Sequence, residues 1–183
     1  ADESILYDAK PHIGTDALLT VVQNLRRRIL ALGGEVRFSA QATGFLREDG
    51  ALSGLEVCER GETYTLPCRH AILAIGHSAR DTFETLLQSG VPMEPKAFSM
   101  GVRIEHRQEM VNKSQYGAFA DRLGAADYKL NVRFPDGTSA YTFCMCPGGH
   151  VVAAASEEGG VVTNGMSDFA RDGENANAAL LVT

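Results

Sequence analysis

Between residues 16 and 76 the hydrophobic period changes twice, and that order restricts the possible folds more than any other feature. Leu18, Val22, Leu25, Ile29 and Leu32 recur at spacings of four and three, one face of an amphipathic helix predicted over 16–32. Arg26, Arg27 and Arg28 complement its C-terminal dipole, and Gly33-Gly34 ends it. The period then becomes two. Val36 and Phe38 read as a short strand, and Thr43–Glu48, Ser53–Glu59 and Glu62–Leu66 as three more. Asp49-Gly50 and Arg60-Gly61 are turn pairs, which makes this stretch an antiparallel meander. His70–Ile75 has no alternation at all, the pattern of a strand buried on both faces. A buried parallel strand after a meander does not suit a simple sandwich. It suits the second half of a nucleotide-binding α/β domain. The first half would carry a strand, a Gly-rich turn and a helix, and no Gly-x-Gly-x-x-Gly occurs in this sequence.

The rest of the chain extends the mixed α+β pattern. Residues 1–15 read as irregular, with helix-cap chemistry at their end. Ser78 with Asp81 three residues on is a capping-box-like start for a helix whose apolar face is Phe83, Leu86 and Leu87. Gly90 and Pro92 end it. Pro92–Pro95 is the expected boundary between residues 1–94 and a mainly β lobe, 95–183. In that lobe Phe98, Met100, Val102 and Ile104 alternate strictly, and Gln108–Tyr116 reads as a short helix. Tyr128–Phe134 and Ser139–Cys146 read as strands joined at Pro135-Asp136-Gly137, and Val151–Ala155 and Ala178–Thr183 as two more.

Charge and composition exclude several functions. With 23 acidic against 17 basic residues, no Trp and no basic stripe, the chain is a poor nucleic-acid binder. The longest uncharged apolar runs, Ala71–Gly76 and Val151–Ala155, fall far short of the ~20 residues of a membrane span. Four Cys in 183 residues do not make a disulfide framework, and with no signal-peptide pattern the expected location is the cytoplasm. The first residue is Ala1 rather than Met and the last residues are an apolar run, so the chain is expected to be a piece of something larger.

Three segments are candidates for chemistry. In Ala71–Ser78 a buried strand would run through small residues into a helix start, which lets a cofactor edge approach and favours an anion. Cys144 and Cys146, two apart on a strand, should face one way. They read as a redox pair, as a metal site with His150 that lacks a fourth ligand, or as small packed apolar groups. Residues 154–167 are dense in small and polar side chains, which suits a ligand surface and a plain loop equally. Arg103, Glu105 and His106 read as a solvated strand face, and Lys10 and His12 as a surface loop or an anion contact. No Ser-His-Asp spacing, phosphate loop or catalytic carboxylate pair stands out.

Five segments, taken in order, carry a resemblance: Lys10–Asp16, Gly76–Thr82, Cys144–Gly149, Glu157–Ser167 and Arg171–Asn177. Together they resemble a family of bacterial FAD-dependent dehydrogenases of largely uncharacterised activity, within the glutathione-reductase-like flavoproteins. The resemblance covers essentially the whole chain. It implies the middle-to-late part of a larger flavoprotein, with residues 1–94 as part of an FAD-binding domain and 95–183 as the substrate lobe. It would place Gln41 or Ala42 near the adenine, and Ala74 and Gly76 beside FAD. Ile75 stands where the family has a hydroxyl residue in an Ala-Thr-Gly pattern, so a side-chain contact there is lost. Cys144, Cys146 and His77 are the residues expected at the substrate face. The implied partners are the remaining domains of the same polypeptide, a small-molecule substrate and NAD(P)H, with no metal. A non-enzymatic ligand- or protein-binding module is the alternative.

Overall fold

The computed structural model describes Glu3, residues 5–8 and residues 12–183. The expectations at Lys10 and Pro11 lie outside the described residues. Two compact units are present: residues 28–96, and residues 1–27 together with 97–183. In chain order the elements are α1 (Ile5–Asp8), α2 (Thr15–Ala31), β1 (Ala40–Glu48), β2 (Ala51–Glu59), β3 (Glu62–Pro67), α3 (Arg80–Gln88) and β4 (Met100–Arg107). Then follow α4 (Gln108–Tyr116), β5 (Asn131–Arg133), β6 (Ser139–Cys146), β7 (Gly149–Ala153), β8 (Thr163–Ser167) and β9 (Asn175–Val182). Helices with several antiparallel sheets make this a mixed α+β protein.

The unit 28–96 is built on the meander β1-β2-β3. Its two turns have positive φ at both central residues, Asp49 and Gly50, then Arg60 and Gly61. That is the turn whose twist matches paired strands, and the first of the two joins a ladder that runs from Ala40↔Glu59 to Glu48↔Ala51 with register shifts after Ala42 and after Leu46. Three sequence expectations fail here. Val36 and Phe38 form no strand. The Arg37 side chain between them binds Tyr64 and Glu35, and two apolar residues carry too few ladder bonds to hold an edge. His70–Ile75 is irregular and exposed, with Ile72 at 94%. A strand apolar on both faces forms only where neighbours supply hydrogen bonds and cover, and none of the described residues pairs with it. Ala71 and Leu73 border a groove with Phe45, Leu52 and Leu86, which leaves Ile72 outward. Ser78 does not cap α3: Ala79 holds the N-cap position without a side-chain bond, and the Ser78 hydroxyl lies 3.4 Å from His77 Nε2.

The other unit centres on an antiparallel sheet of order β4-β9-β6-β5, beside the two-stranded ribbon β7-β8. Val111, Ala126 and Ala176 form its small core, with Tyr116, Tyr128 and Met145 packed against it. Gln108 at the start of α4 ties three segments: its amide nitrogen donates to the Ala126 carbonyl (2.9 Å) and its oxygen accepts from Gly148 N (2.8 Å). His106 lies between the Ala176 carbonyl (2.9 Å from Nδ1) and the Tyr128 hydroxyl (2.8 Å from Nε2). Burial there pushes the Tyr128 phenol up. It is therefore not on a solvated face. The alternation Met100, Val102, Ile104 is present in β4, but its apolar side stands uncovered, Met100 at 67% and Val102 at 64%. The apolar stripe of α2 is likewise exposed, and no residue of that helix is buried. Tyr128–Phe134 shortens to β5, and Val151–Ala155 shifts to β7. Among the described residues no helix is long and apolar enough to cross a membrane.

Candidate functional site

Four of the five segments that carry the resemblance meet in the unit 1–27 with 97–183. The start of α2 is fastened to the segment after β8. Thr15 Oγ1 donates to the Ser167 carbonyl (3.2 Å), and Asp16 Oδ1 accepts from Phe169 N (2.9 Å). His12 Nε2 donates to the Asp168 carbonyl (3.0 Å), and its ring stacks on Phe169 with centroids 6.1 Å apart. Gly14 makes this approach possible. Its φ is 86°, and a side chain there would run into the Phe169 backbone. A cleft of about 370 Å³ opens between the α2 start, the end of β6, β8 and Arg171.

The end of β6 is bent by a bulge. Phe143 pairs with Ala179, but the next paired residue is Cys146, opposite Asn177. Cys144 sits in the bulge with φ 47°. The two-residue period that should turn both thiols one way is broken. Cys146 borders the 370 Å³ cleft, and Cys144 is exposed on a second cleft of about 740 Å³ with Tyr128 and Lys129. Arg171 borders both. Burial pushes the Cys146 thiol up, while Arg103 and Arg171 pull the other way. The thiol donates to the Cys144 carbonyl at 3.3 Å.

Behind Cys146 lies a polar cluster. Asn177 is fully buried and its Oδ1 accepts from Arg103 Nη1 at 2.8 Å. Gly165 admits this contact: a Cβ there would crowd Asn177 Oδ1, stand 2.5 Å from Arg103 Nη1 and 2.8 Å from Cys146 Sγ. Ser167 is buried and donates to the Pro147 carbonyl (2.8 Å). Arg103 thus points into the protein, opposite the uncovered apolar side of β4, and is no solvated face. Glu105 stays exposed and accepts from Asn175 Nδ2 at 3.3 Å. Three buried side-chain nitrogens lack partners among the described residues: Arg103 Nε, Arg171 Nε and Asn177 Nδ2. Sequence reasoning missed Arg103, Asn177 and Arg171 as site residues. The signal was present for Arg171 and Asn177, which bound one of the quoted segments. Among the described residues no group of three or more His, Cys, Asp or Glu is placed to hold a metal ion.

The remaining expected residues belong to the unit 28–96. The Gln41 side-chain nitrogen donates to the Asp81 carboxylate, and Ala42 pairs with Val57 in the meander. Ala74, Gly76 and His77 lie in the exposed stretch before α3. Gly76 has φ 70° and nothing within 4 Å of where a Cβ would stand, so its edge is open. That edge alone does not make an FAD site. The stretch pairs with no strand among the described residues, and no Gly-x-Gly-x-x-Gly occurs in this sequence to receive a pyrophosphate.

Comparison with known proteins bears on both units. Residues 97–183 match the family model described as "FAD-dependent protein, C-terminal domain-like". Over all of this chain, a curated protein of Clostridium beijerinckii, described as an uncharacterized protein, is 50% identical across 186 aligned residues. The chain spans 34% of that relative's length.

Proposed function

We propose that this chain is the central, substrate-facing portion of a longer, cytoplasmic FAD-dependent oxidoreductase. In this reading residues 95–183 form the substrate lobe and residues 1–94 a segment next to the flavin domain. The observation that carries it is the match of residues 97–183 to an FAD-dependent family. The uncovered apolar faces of α2 and β4 and the exposed Ala71–Ile75 run support it, because such surfaces in a globular protein call for cover. The remaining domains of the same polypeptide would supply that cover. They would also supply the grip on FAD, which Gln41, Ala42, Ala74 and Gly76 would border. The hydride or electron chemistry would be the flavin's own, with NAD(P)H and a small molecule as partners. This chain's residues would bind and orient substrate, Cys144 and Cys146 at the two clefts and His77 before α3. Alone, the chain would be inactive.

The test is the visible absorption spectrum of the longer polypeptide purified without added cofactor. A flavin spectrum is expected. A protein that stays colourless after incubation with FAD overturns this reading. In its place would stand a non-enzymatic binding module, favoured by the same exposed apolar faces. In a flavin-bearing protein, Cys144→Ser with Cys146→Ser should impair turnover or substrate binding.

A further inference from the structure

Among the described residues, the three buried side-chain nitrogens without partners are all donors. A buried donor left unpaired is costly, so their concentration at one place needs an explanation. Two of them belong to arginines that act electrostatically on the same thiol, Cys146. The third belongs to Asn177, which is fully buried and meets Arg103 and Cys146 around Gly165. Of these three side chains only Arg171 borders the 370 Å³ cleft, and an arginine with a spare N–H there is complementary to an oxygen acceptor carrying negative charge.

The cleft itself restricts the ligand further. Among the described residues, Arg171 is the only Lys, Arg, Asp or Glu on its wall, and Ile13, Leu18, Met145 and Met166 provide apolar surface around it. The Arg171 backbone is held at φ 52°, a left-handed conformation that side-chain-bearing residues rarely adopt. Its amide donates to the Asp168 carbonyl at 3.1 Å, which fixes where the side chain starts. A phosphate or other compact, fully hydrated anion would waste the apolar walls, and a neutral apolar molecule would leave the arginine unanswered. We infer that this cleft binds an apolar carboxylic acid, with Arg171 holding the carboxylate and the methionine and aliphatic walls holding the hydrocarbon. As a statement about substrate class this rests on the oxidoreductase reading; as a statement about binding it stands by itself.

Benzoate is the probe and neutral benzamide its isosteric control. The full 183-residue chain is labelled at its methionine methyls, and Met145 and Met166 report from the wall of the cleft. Saturable shifts of these two methyls with benzoate are expected, without shifts at Met93 or Met110. Benzamide should bind at least about ten-fold more weakly, and so should benzoate to Arg171→Gln. Arg171→Lys should recover part of the affinity. The Met93 and Met110 signals show that each variant is folded. No shift at Met145 and Met166, equal binding of benzamide, or unchanged benzoate binding by a folded Arg171→Gln each overturns the inference. Benzoate binding in a chain whose longer parent proves colourless would leave the acid site standing and remove only the flavin reading. A yellow parent with no benzoate binding would do the reverse.

Discussion

The two units answer the same kind of sequence signal differently. In residues 28–96 the meander forms where the turn pairs demand it, yet the most apolar run of that unit, Ala71–Ile75, is left outside any sheet. In the unit of residues 1–27 with 97–183, segments more than a hundred residues apart close on one another, as Thr15 does on Ser167. Hairpins are specified by contacts a few residues away. A two-sided strand is specified by neighbours that its own segment does not contain. The α2 start needs only a glycine and a few hydrogen-bonding groups to find its place.

Glycine substitutions should give the widest separation between the units. Gly14→Ala forces a side chain onto the Phe169 backbone at positive φ and should cost about 3 kcal/mol. Gly76→Ala, also at positive φ but with open space around it, should cost only about 1 kcal/mol. Urea unfolding followed by circular dichroism suits a chain without Trp. Equal costs would mean that the α2 start is not held as described. Within the unit 28–96, Val57→Ala should lose about 1–2 kcal/mol, since Val57 is buried in the meander. Ile72→Ser should change stability by less than about 0.5 kcal/mol in this chain. A large loss at Ile72 would show that the run is covered after all.

The smallest effect is one of rate. Iodoacetamide followed by mass spectrometry should modify exposed Cys144 well before Cys146 at pH 8. Because burial raises the Cys146 thiol, that group keeps its proton in the folded chain at pH values where an unfolded thiol has lost it. Its contribution to stability is therefore full below the ordinary thiol range and is lost as the pH rises beyond that range, through the raised value of the folded chain. Arg103→Gln removes one opposing charge and should slow Cys146 labelling further. Equal labelling of the two thiols would contradict the bulge at Cys144.

The legible parts of the chain were those with local causes. Leu18 to Leu32 spelled α2, and Asp49-Gly50 with Arg60-Gly61 spelled the meander turns. What could not be read was which face would be covered. Met100, Val102 and Ile104 have the spacing of a buried face, but the inward side of β4 is the one that carries Arg103. The clefts were illegible for another reason. The Cys144 bulge breaks strand parity without any glycine or proline at that position to announce it. The quoted segments around Gly14, Cys146, Gly165 and Arg171 held the site residues, but spacing along the chain said nothing of their convergence.

The position of β9 has a consequence for synthesis. It lies between β4 and β6, so β4 has no ladder to join, and β6 none beyond short β5, until residues 175–182 have left the ribosome. Nascent chains must carry β4 and β6 with open edges for the whole time taken to translate the segment between them and β9. Those edges are sites where two nascent chains can pair with each other. Ribosome pausing just upstream of codon 175 should therefore raise aggregation more than pausing inside the meander, whose strands close as soon as each turn emerges.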